Sequence, residues 1–189
     1  PLASATARGD ERLSKKLLQA GATFEGDALP KAIRAGQTAI VDLLLENGAD
    51  VQEAEDEEYM HGTPLNIAAA SNQMDIARLL LRKGADVNYV DGDHNTPLTL
   101  ALQEGNDAMV ELLLNAGADP AVRVTEFDLS ALDLVTSGDA VRLLLKHGAR
   151  VDAVSSSGQT ALHAAAEIDT MTPIQALVEA GADLEAEDM

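Results

Sequence analysis

The sequence predicts an all-α protein assembled from short helix pairs stacked in series. Three observations carry that prediction. A leucine-rich run closed by Gly-Ala returns six times along 189 residues, and a Thr-led run of small apolar residues opens several of the intervening stretches. Aromatic residues are only 2 % of the chain although apolar residues are 46 %. A globule with one thick core normally fills its centre with large rings. Leu, Ala, Ile and Val, with Phe24, Tyr59, Tyr89 and Phe127 as the only rings, suit thin layers of closely packed helices instead.

The closing run ends at Gly21-Ala22, Gly48-Ala49, Gly84-Ala85, Gly117-Ala118, Gly148-Ala149 and, more loosely, Gly181-Ala182. Successive glycines stand 27, 36, 33, 31 and 33 residues apart. A residue just past a helix often adopts the left-handed conformation, where Gly carries no Cβ penalty. Upstream, Thr63-Pro64-Leu65, Thr96-Pro97-Leu98 and Thr160-Ala161-Leu162-His163 offer Thr as N-cap, the first two with Pro at the first helical position. Each unit therefore reads as turn, helix, tight turn, helix, glycine stop.

These residues resemble the ankyrin-repeat family, with its Thr-Pro-Leu-His-x-Ala-Ala opening and its closing Leu-Leu-x-x-Gly-Ala-Asp, over essentially the whole chain; a period near 33 agrees. The resemblance implies an ankyrin-repeat solenoid: helix-turn-helix units with projecting β-hairpin loops. It implies one domain, 1–189, of about six units near 1–24, 25–52, 53–88, 89–120, 121–151 and 152–189.

Taken in order, the units depart from that pattern in places. Pro1-Leu2 falls where the motif's Pro-Leu would, and Gly21 to Leu29 is too short for a hairpin, so a direct loop is expected there. Gly48 to Thr63 is 15 residues, against 12 for Gly84 to Thr96 and for Gly148 to Thr160, so this hairpin carries three extra residues. Residues 130–148 are squeezed. Ser130-Ala131-Leu132-Asp133 replaces the Thr-Pro-Leu-His motif, and a shortened inter-helix turn is expected around Ser137-Gly138-Asp139. Thr172-Pro173 reads as N-cap and first residue of the last helix. The segment Leu184–Met189 resembles the lead into another hairpin, so the sequence reads as a piece of a longer array. Its first unit is polar enough to cap, with Ser4, Thr6, Arg8, Lys15 and Lys16. Its last unit, with Ile168, Met171, Ile174 and Val178, is less so.

Composition excludes several functions. A net charge of −19 repels phosphate backbones and would draw in a basic protein surface. The same charge keeps an Ala- and Leu-rich repeat array soluble. No run approaches the roughly 18–20 apolar residues of a membrane helix, and Arg8, Asp10, Glu11 and Arg12 interrupt any signal-like start. The absence of Cys removes disulfides, thiolate metal sites and a thiol nucleophile. The reading is an intracellular, cytoplasmic monomer.

Asp91-Gly92-Asp93-His94-Asn95 begins like a calcium loop, but Thr96 stands where the loop needs Gly and Leu102 where it needs a bidentate acid. The segment reads better as a hairpin with His94 at a positive-φ turn position. His61, His94, His147 and His163 lack metal-ligand spacing. The resemblance gives His163 a structural bond to loop backbone. His147, one residue before a glycine stop, suits a helix C-terminus. No nucleophile elbow or phosphate loop occurs, so neither enzyme activity, cofactor nor metal is expected.

The resemblance implies a protein-interaction scaffold that binds through hairpin tips and first-helix ends on a concave face. On this chain the tips are Tyr59, Met60 and His61; Gly92, Asp93 and Asn95; Glu126, Phe127 and Asp128; and Ser156, Ser157 and Gln159. The helix ends are Arg34, Ser71, Gln103, Glu104, Ser137, Glu167 and Ile168. The lengthened hairpin adds an acidic finger, Glu55, Asp56, Glu57 and Glu58. Charge there would speed encounter, and Tyr59 and Met60 would supply the desolvated contact that holds. The alternative function is the regulatory or substrate-recruiting arm of a larger enzyme.

Overall fold

The computed structural model describes residues 2–23, 27–54, 62–124, 128–167 and 171–186. It falls into two compact units, Pro1–Gly92 and Asp93–Met189. Among the described residues, unit one contains α1 (Leu2–Ala7), α2 (Glu11–Gln19), α3 (Ala28–Arg34), α4 (Thr38–Glu46), α5 (Pro64–Ala70) and α6 (Met74–Arg82). Unit two contains α7 (Pro97–Gln103), α8 (Asp107–Asn115), the strands β1 (Arg123–Val124) and β2 (Leu129–Ser130), the 3₁₀ helix η1 (Ala131–Leu134), α9 (Gly138–Lys146), α10 (Ala161–Glu167) and α11 (Met171–Glu179). The fold is all-α and of the repeat type that the sequence resembles.

Helix length follows the motif. Each second helix has nine residues and ends in the same double bond. The Gly48 N–H donates to Leu45 O and the Ala49 N–H to Leu44 O, and the pattern recurs at Gly21, Gly84, Gly117, Gly148 and Gly181. This is the Schellman arrangement, and it requires φ near +90° at the glycine. The observed values run from +84° to +105°. The repeated Gly-Ala is thus a helix terminator whose alanine N–H satisfies an otherwise orphaned carbonyl.

In each unit the first helices of successive pairs pack on one another and the second helices do likewise. In unit one, α1, α3 and α5 make one layer, and α2, α4 and α6 the other. Ile33, Ile40, Leu44, Leu65, Ile76 and Leu80 are fully buried between them. In unit two, α7, η1 and α10 face α8, α9 and α11, around Leu98, Leu102, Met109, Leu113, Leu132 and Leu144. Each such side chain contributes about 1.5–3 kcal/mol through burial. Small alanines let the helices approach closely: Ala5, Ala68, Ala69, Ala77 and Ala101 are all at 0 % exposure.

The structure corrects three expectations. The first helix of the fifth pair is a single 3₁₀ turn, because only seven residues separate the N-caps Ser130 and Ser137, against ten from Thr96 to Asn106. Ser137 closes the inter-helix turn as the N-cap of α9, its Oγ accepting from Ala140 N at 3.0 Å, whereas Gly138 and Asp139, expected in the turn, are the first residues of the helix. The last helix starts at Met171, so Thr172-Pro173 lies inside the first turn, where a missing N–H costs nothing. Strand pairing is sparse: β1 pairs with β2, Val154 bridges Thr160, and the described residues 85–96 form turns without a ladder. His94 does take positive φ, +63°.

Candidate functional site

The tips and helix ends are positioned by a cap that varies from repeat to repeat. At α7, Thr96 and Thr99 cap each other: Thr99 N donates to Thr96 Oγ1 at 3.3 Å and Thr96 N to Thr99 Oγ1 at 2.8 Å. At η1, Ser130 N and Oγ donate to Asp133 Oδ2 at 2.6 and 2.9 Å. At α10, Thr160 N donates to His163 Nδ1 at 3.2 Å, with Thr160 Oγ1 2.8 Å from the same nitrogen. At α5, Thr63 Oγ1 donates to Asn66 Oδ1 at 2.7 Å. The motif's histidine position is thus held by Asn66, Thr99, Asp133 and His163. Four chemistries serve one purpose, which is to fix where a hairpin hands over to a helix. Burial pushes the Asp133 carboxyl above the ordinary carboxylate range, against the lowering effect of its Ser130 bonds and of Arg123.

In unit one, Glu55, Asp56, Glu57, Glu58, Tyr59, Met60 and His61 lie outside the described residues. The residues on either side of that segment are described. Asp50 Oδ1 accepts from Gln52 N at 2.8 Å, and Gln52 Oε1 accepts from Asp86 N at 2.9 Å, tying the residues before it to the next turn. After it, Gly62-Thr63 is buried, and a Cβ on Gly62 would meet Asn66 Cβ at 2.7 Å. The helix end Arg34 is exposed, and Ser71 is half-buried as the C-cap of α5.

In unit two the structure brings predicted residues together in pairs. Gln103 Nε2 at the end of α7 donates to Asn95 Oδ1 in the hairpin, at 3.2 Å. In the opposite direction, Gln159 Nε2 in the hairpin donates to Glu167 Oε1 at the end of α10, at 3.1 Å. Each pair spans eight residues, so one bond between hairpin and helix end recurs in two repeats. Asp93, Glu104 and Ser156 are exposed alongside. Phe127 lies outside the described residues, as do Glu126 and Ile168.

Sequence reasoning missed Arg123. Its Nη1 donates to Asp128 O at 2.8 Å, to Asp128 Oδ2 at 3.2 Å and to Val154 O at 2.7 Å, joining the fifth hairpin to the sixth. Asp128 adopts φ +54° beneath it. An isolated Arg in a hairpin carries no pattern that would mark it. A shallow groove of about 430 Å³ between α8 and α9 was also unmarked; Asp107, Glu111, Asp139, Arg142 and Lys146 give it both signs of charge. His147 Nδ1 lies 2.9 Å from Leu143 O, a helix C-terminal contact as expected. The described helices include none long and apolar enough to cross a membrane.

Two family models match. One described as "Ankyrin repeats (3 copies)" covers residues 31–124, and one described as "Ankyrin repeats (many copies)" covers 139–177. Together they take in more than two thirds of the chain. Among curated proteins the chain is similar to "Ankyrin repeat and SOCS box protein 6" of Homo sapiens and of Pongo abelii. It is 35 % identical to each over 170 residues, which is 85 % of this chain and 32 % of each relative. The chain thus spans about a third of the length of these relatives.

Proposed function

This chain belongs to the ankyrin-repeat family, whose repeats are protein-interaction modules, and from that premise we propose that it is a non-catalytic scaffold that holds one protein partner through hairpin tips and first-helix ends. The observation that carries the reading is the recurring bond between hairpin and helix end, Asn95–Gln103 and Gln159–Glu167. Exposed polar side chains normally spend rotamer entropy when a partner immobilises them. Here two pairs are already ordered, beside exposed Asp93, Glu104 and Ser156, and Arg123 ties neighbouring hairpins. Such a surface offers shape and hydrogen-bonding groups at reduced entropic cost.

In unit one, the acidic finger Glu55–Glu58 steers a basic patch of the partner, and Tyr59, Met60 and His61 supply the anchor. The protein acts as a cytoplasmic monomer, with neither nucleic acid nor membrane as its partner. A second reading is favoured by the relatives, whose names join ankyrin repeats to a SOCS box and of which this chain spans 32 %: the scaffold serves as the recruiting arm of a larger assembly.

Affinity capture from cell extract, followed by surface plasmon resonance with the captured partner, tests the reading. Replacing Glu55, Asp56, Glu57 and Glu58 with Gln or Asn slows association and flattens its salt dependence. Tyr59→Ala speeds dissociation by an amount worth about 1–3 kcal/mol. Binding that survives both changes but is lost with Gln103→Ala or Glu104→Ala assigns the function to the helix ends alone. Binding indifferent to all of them removes the proposal.

A further inference from the structure

Arg123 stands where its counterparts offer no hydrogen-bonding side chain. Counted from the closing glycine, Val90 and Val154 hold the same position in their own hairpins, and they are 52 % and 48 % exposed. The other cations of unit two serve elsewhere. Arg150 pairs with Asp152 two residues on, Arg142 pairs with Asp139 on its own helix and with Glu179 of α11, and Lys146 is exposed on α9. Arg123 instead carries its guanidinium from one hairpin into the next.

Both sides of that junction are ordered. On the fifth hairpin, Arg123 Nη1 gathers the carbonyl and the carboxylate of Asp128, at 2.8 and 3.2 Å. Asp128 keeps φ +54° there, a left-handed value that Asp tolerates better than most side chains but still at a cost. On the sixth hairpin the acceptor is Val154 O, at 2.7 Å. The next residue begins a closed turn, with Ser155 N donating to Gln159 O at 2.8 Å and Gly158 N to Ser155 O at 3.0 Å. Side chains continue the line. Ser155 Oγ lies 2.9 Å from Ser157 Oγ, Ser157 Oγ donates to Gln159 Oε1 at 3.4 Å, and Gln159 Nε2 donates to Glu167 Oε1 at 3.1 Å. A connected set of bonds therefore runs from Asp128 in the fifth hairpin to the end of α10. The helix stack does not depend on it, because the Ser130–Asp133 and Thr160–His163 caps and the glycine stops hold the helices separately. The Arg123 side chain is 36 % exposed, where an ion pair adds little to stability.

We infer that Arg123 is a positioning residue for partner binding. Without touching the partner, it fixes the fifth and sixth hairpins relative to each other, so that the exposed Asp128, Ser156, Ser157 and Glu167 meet the partner as one preformed surface. This rests on the scaffold reading above. Hairpins that moved independently would each have to be ordered at the moment of binding. The arrangement that fits would be only a fraction of the free population, and the apparent affinity would fall by that fraction. The partner such a surface suits is one whose contact segment spans both hairpins.

The test compares the full chain with Arg123→Ala. In the free protein, amide exchange at Ser155 and Gly158, in the hairpin that was not altered, speeds up about tenfold. Exchange at Val141 and Leu144 in α9 stays as in the parent, and the melting temperature stays within about 3 °C. Surface plasmon resonance, with the partner captured from cell extract and identified by mass, gives binding about five- to tenfold weaker. Arg123→Lys, which keeps the cation, lies between the parent and Arg123→Ala in both measurements. Unchanged exchange at Ser155 and Gly158 overturns the inference, and weakened binding alongside it would mean that Arg123 touches the partner directly. Faster exchange with unchanged binding overturns it as well. So does a larger fall in melting temperature with faster exchange in α9, which would make Arg123 a support of the stack. Failure of the parent to capture any partner removes the scaffold reading and this role together, whereas the other failures leave that reading standing.

Discussion

The fourth and fifth helix pairs, α7–α8 and η1–α9, sit side by side in unit two and answer the same demand with different lengths of chain. α7 has seven residues and a Thr96–Thr99 cap, while η1 has four and a Ser130–Asp133 cap. Both second helices keep nine residues and the glycine stop. The layer itself survives: Ala131, Leu132 and Val135 are 0 %, 2 % and 1 % exposed, and Leu98, Ala101 and Leu102 of α7 are 1 %, 0 % and 2 % exposed. The difference teaches that the first element of a repeat can shrink to two or three buried side chains and a cap and still stack on its neighbours, while the second helix keeps its nine residues and its stop in every repeat.

If that is right, cavities in the two first elements are equally costly. Leu98→Ala and Leu132→Ala should each lower stability by about 2–4 kcal/mol in urea or guanidinium unfolding. A loss below about 1 kcal/mol at Leu132 alone would show that the 3₁₀ turn is a loop laid on the core rather than part of it.

The first positions of the second helices sharpen the comparison. A Cβ on Gly138 would lie 2.9 Å from the backbone oxygen of Thr172, so α9 starts against the backbone of the following pair. Gly138→Ala should cost about 1–3 kcal/mol by overpacking, despite the better helix propensity of Ala. Asp107 holds the same position in α8 and accepts from Ser137 Oγ at 2.7 Å. Asp107→Ala should cost only about 0.5–1.5 kcal/mol, through one lost hydrogen bond and a lost acid at a helix N-terminus. Equal costs would mean that the close approach at Gly138 relaxes freely.

The caps differ most in their response to pH. Burial raises the Asp133 carboxyl, so the fold favours its protonated form more than the unfolded chain does. Its contribution is therefore fully present below the ordinary carboxylate range and is lost as pH rises through the raised value. Thr99, in the same place in α7, has no such dependence. Stability curves of the parent and Asp133→Asn, measured from pH 3 to 7, should move in favour of the variant as pH rises. A constant gap would mean that Asp133 ionises as freely in the fold as outside it.

The smallest effect is at Asp152, whose exposed carboxyl is held below the ordinary range by its bonds to Arg150, at 3.1 and 2.9 Å. The sign is opposite: this contribution is present above the ordinary range and lost as pH falls. Asp152→Asn should therefore lose ground to the parent as pH rises from 3 to 5. The shift should be slight and should fade in high salt, because the pair is in water.

Much of this was legible without coordinates, because the repeat's signals are local. A Schellman stop needs a left-handed residue, so Gly21, Gly48, Gly84, Gly117, Gly148 and Gly181 mark helix ends wherever they stand. Thr96-Pro97 marks a start for equally local reasons, and His94 was readable as a positive-φ turn because few residues tolerate that conformation. Counting between such marks revealed the squeeze before α9, but not that a 3₁₀ turn would absorb it. Among the described candidate residues, register alone placed Gln103 and Glu167 at the ends of first helices and Asn95 and Gln159 in the turns before them.

The sequence by itself determined the period, the second helix of each repeat and its glycine terminator, since each depends on residues within one turn of one another, and its composition gave the acidic, ring-poor character. Only the tertiary structure decided which side chains work together. Arg123 reaches Val154, 31 residues on, Gln52 reaches Asp86 across a repeat, and Gly138 is required by the backbone of Thr172. Those contacts depend on how one repeat lies against the next, and that packing is set by the summed fit of many small apolar side chains, none of which announces its partner in the chain.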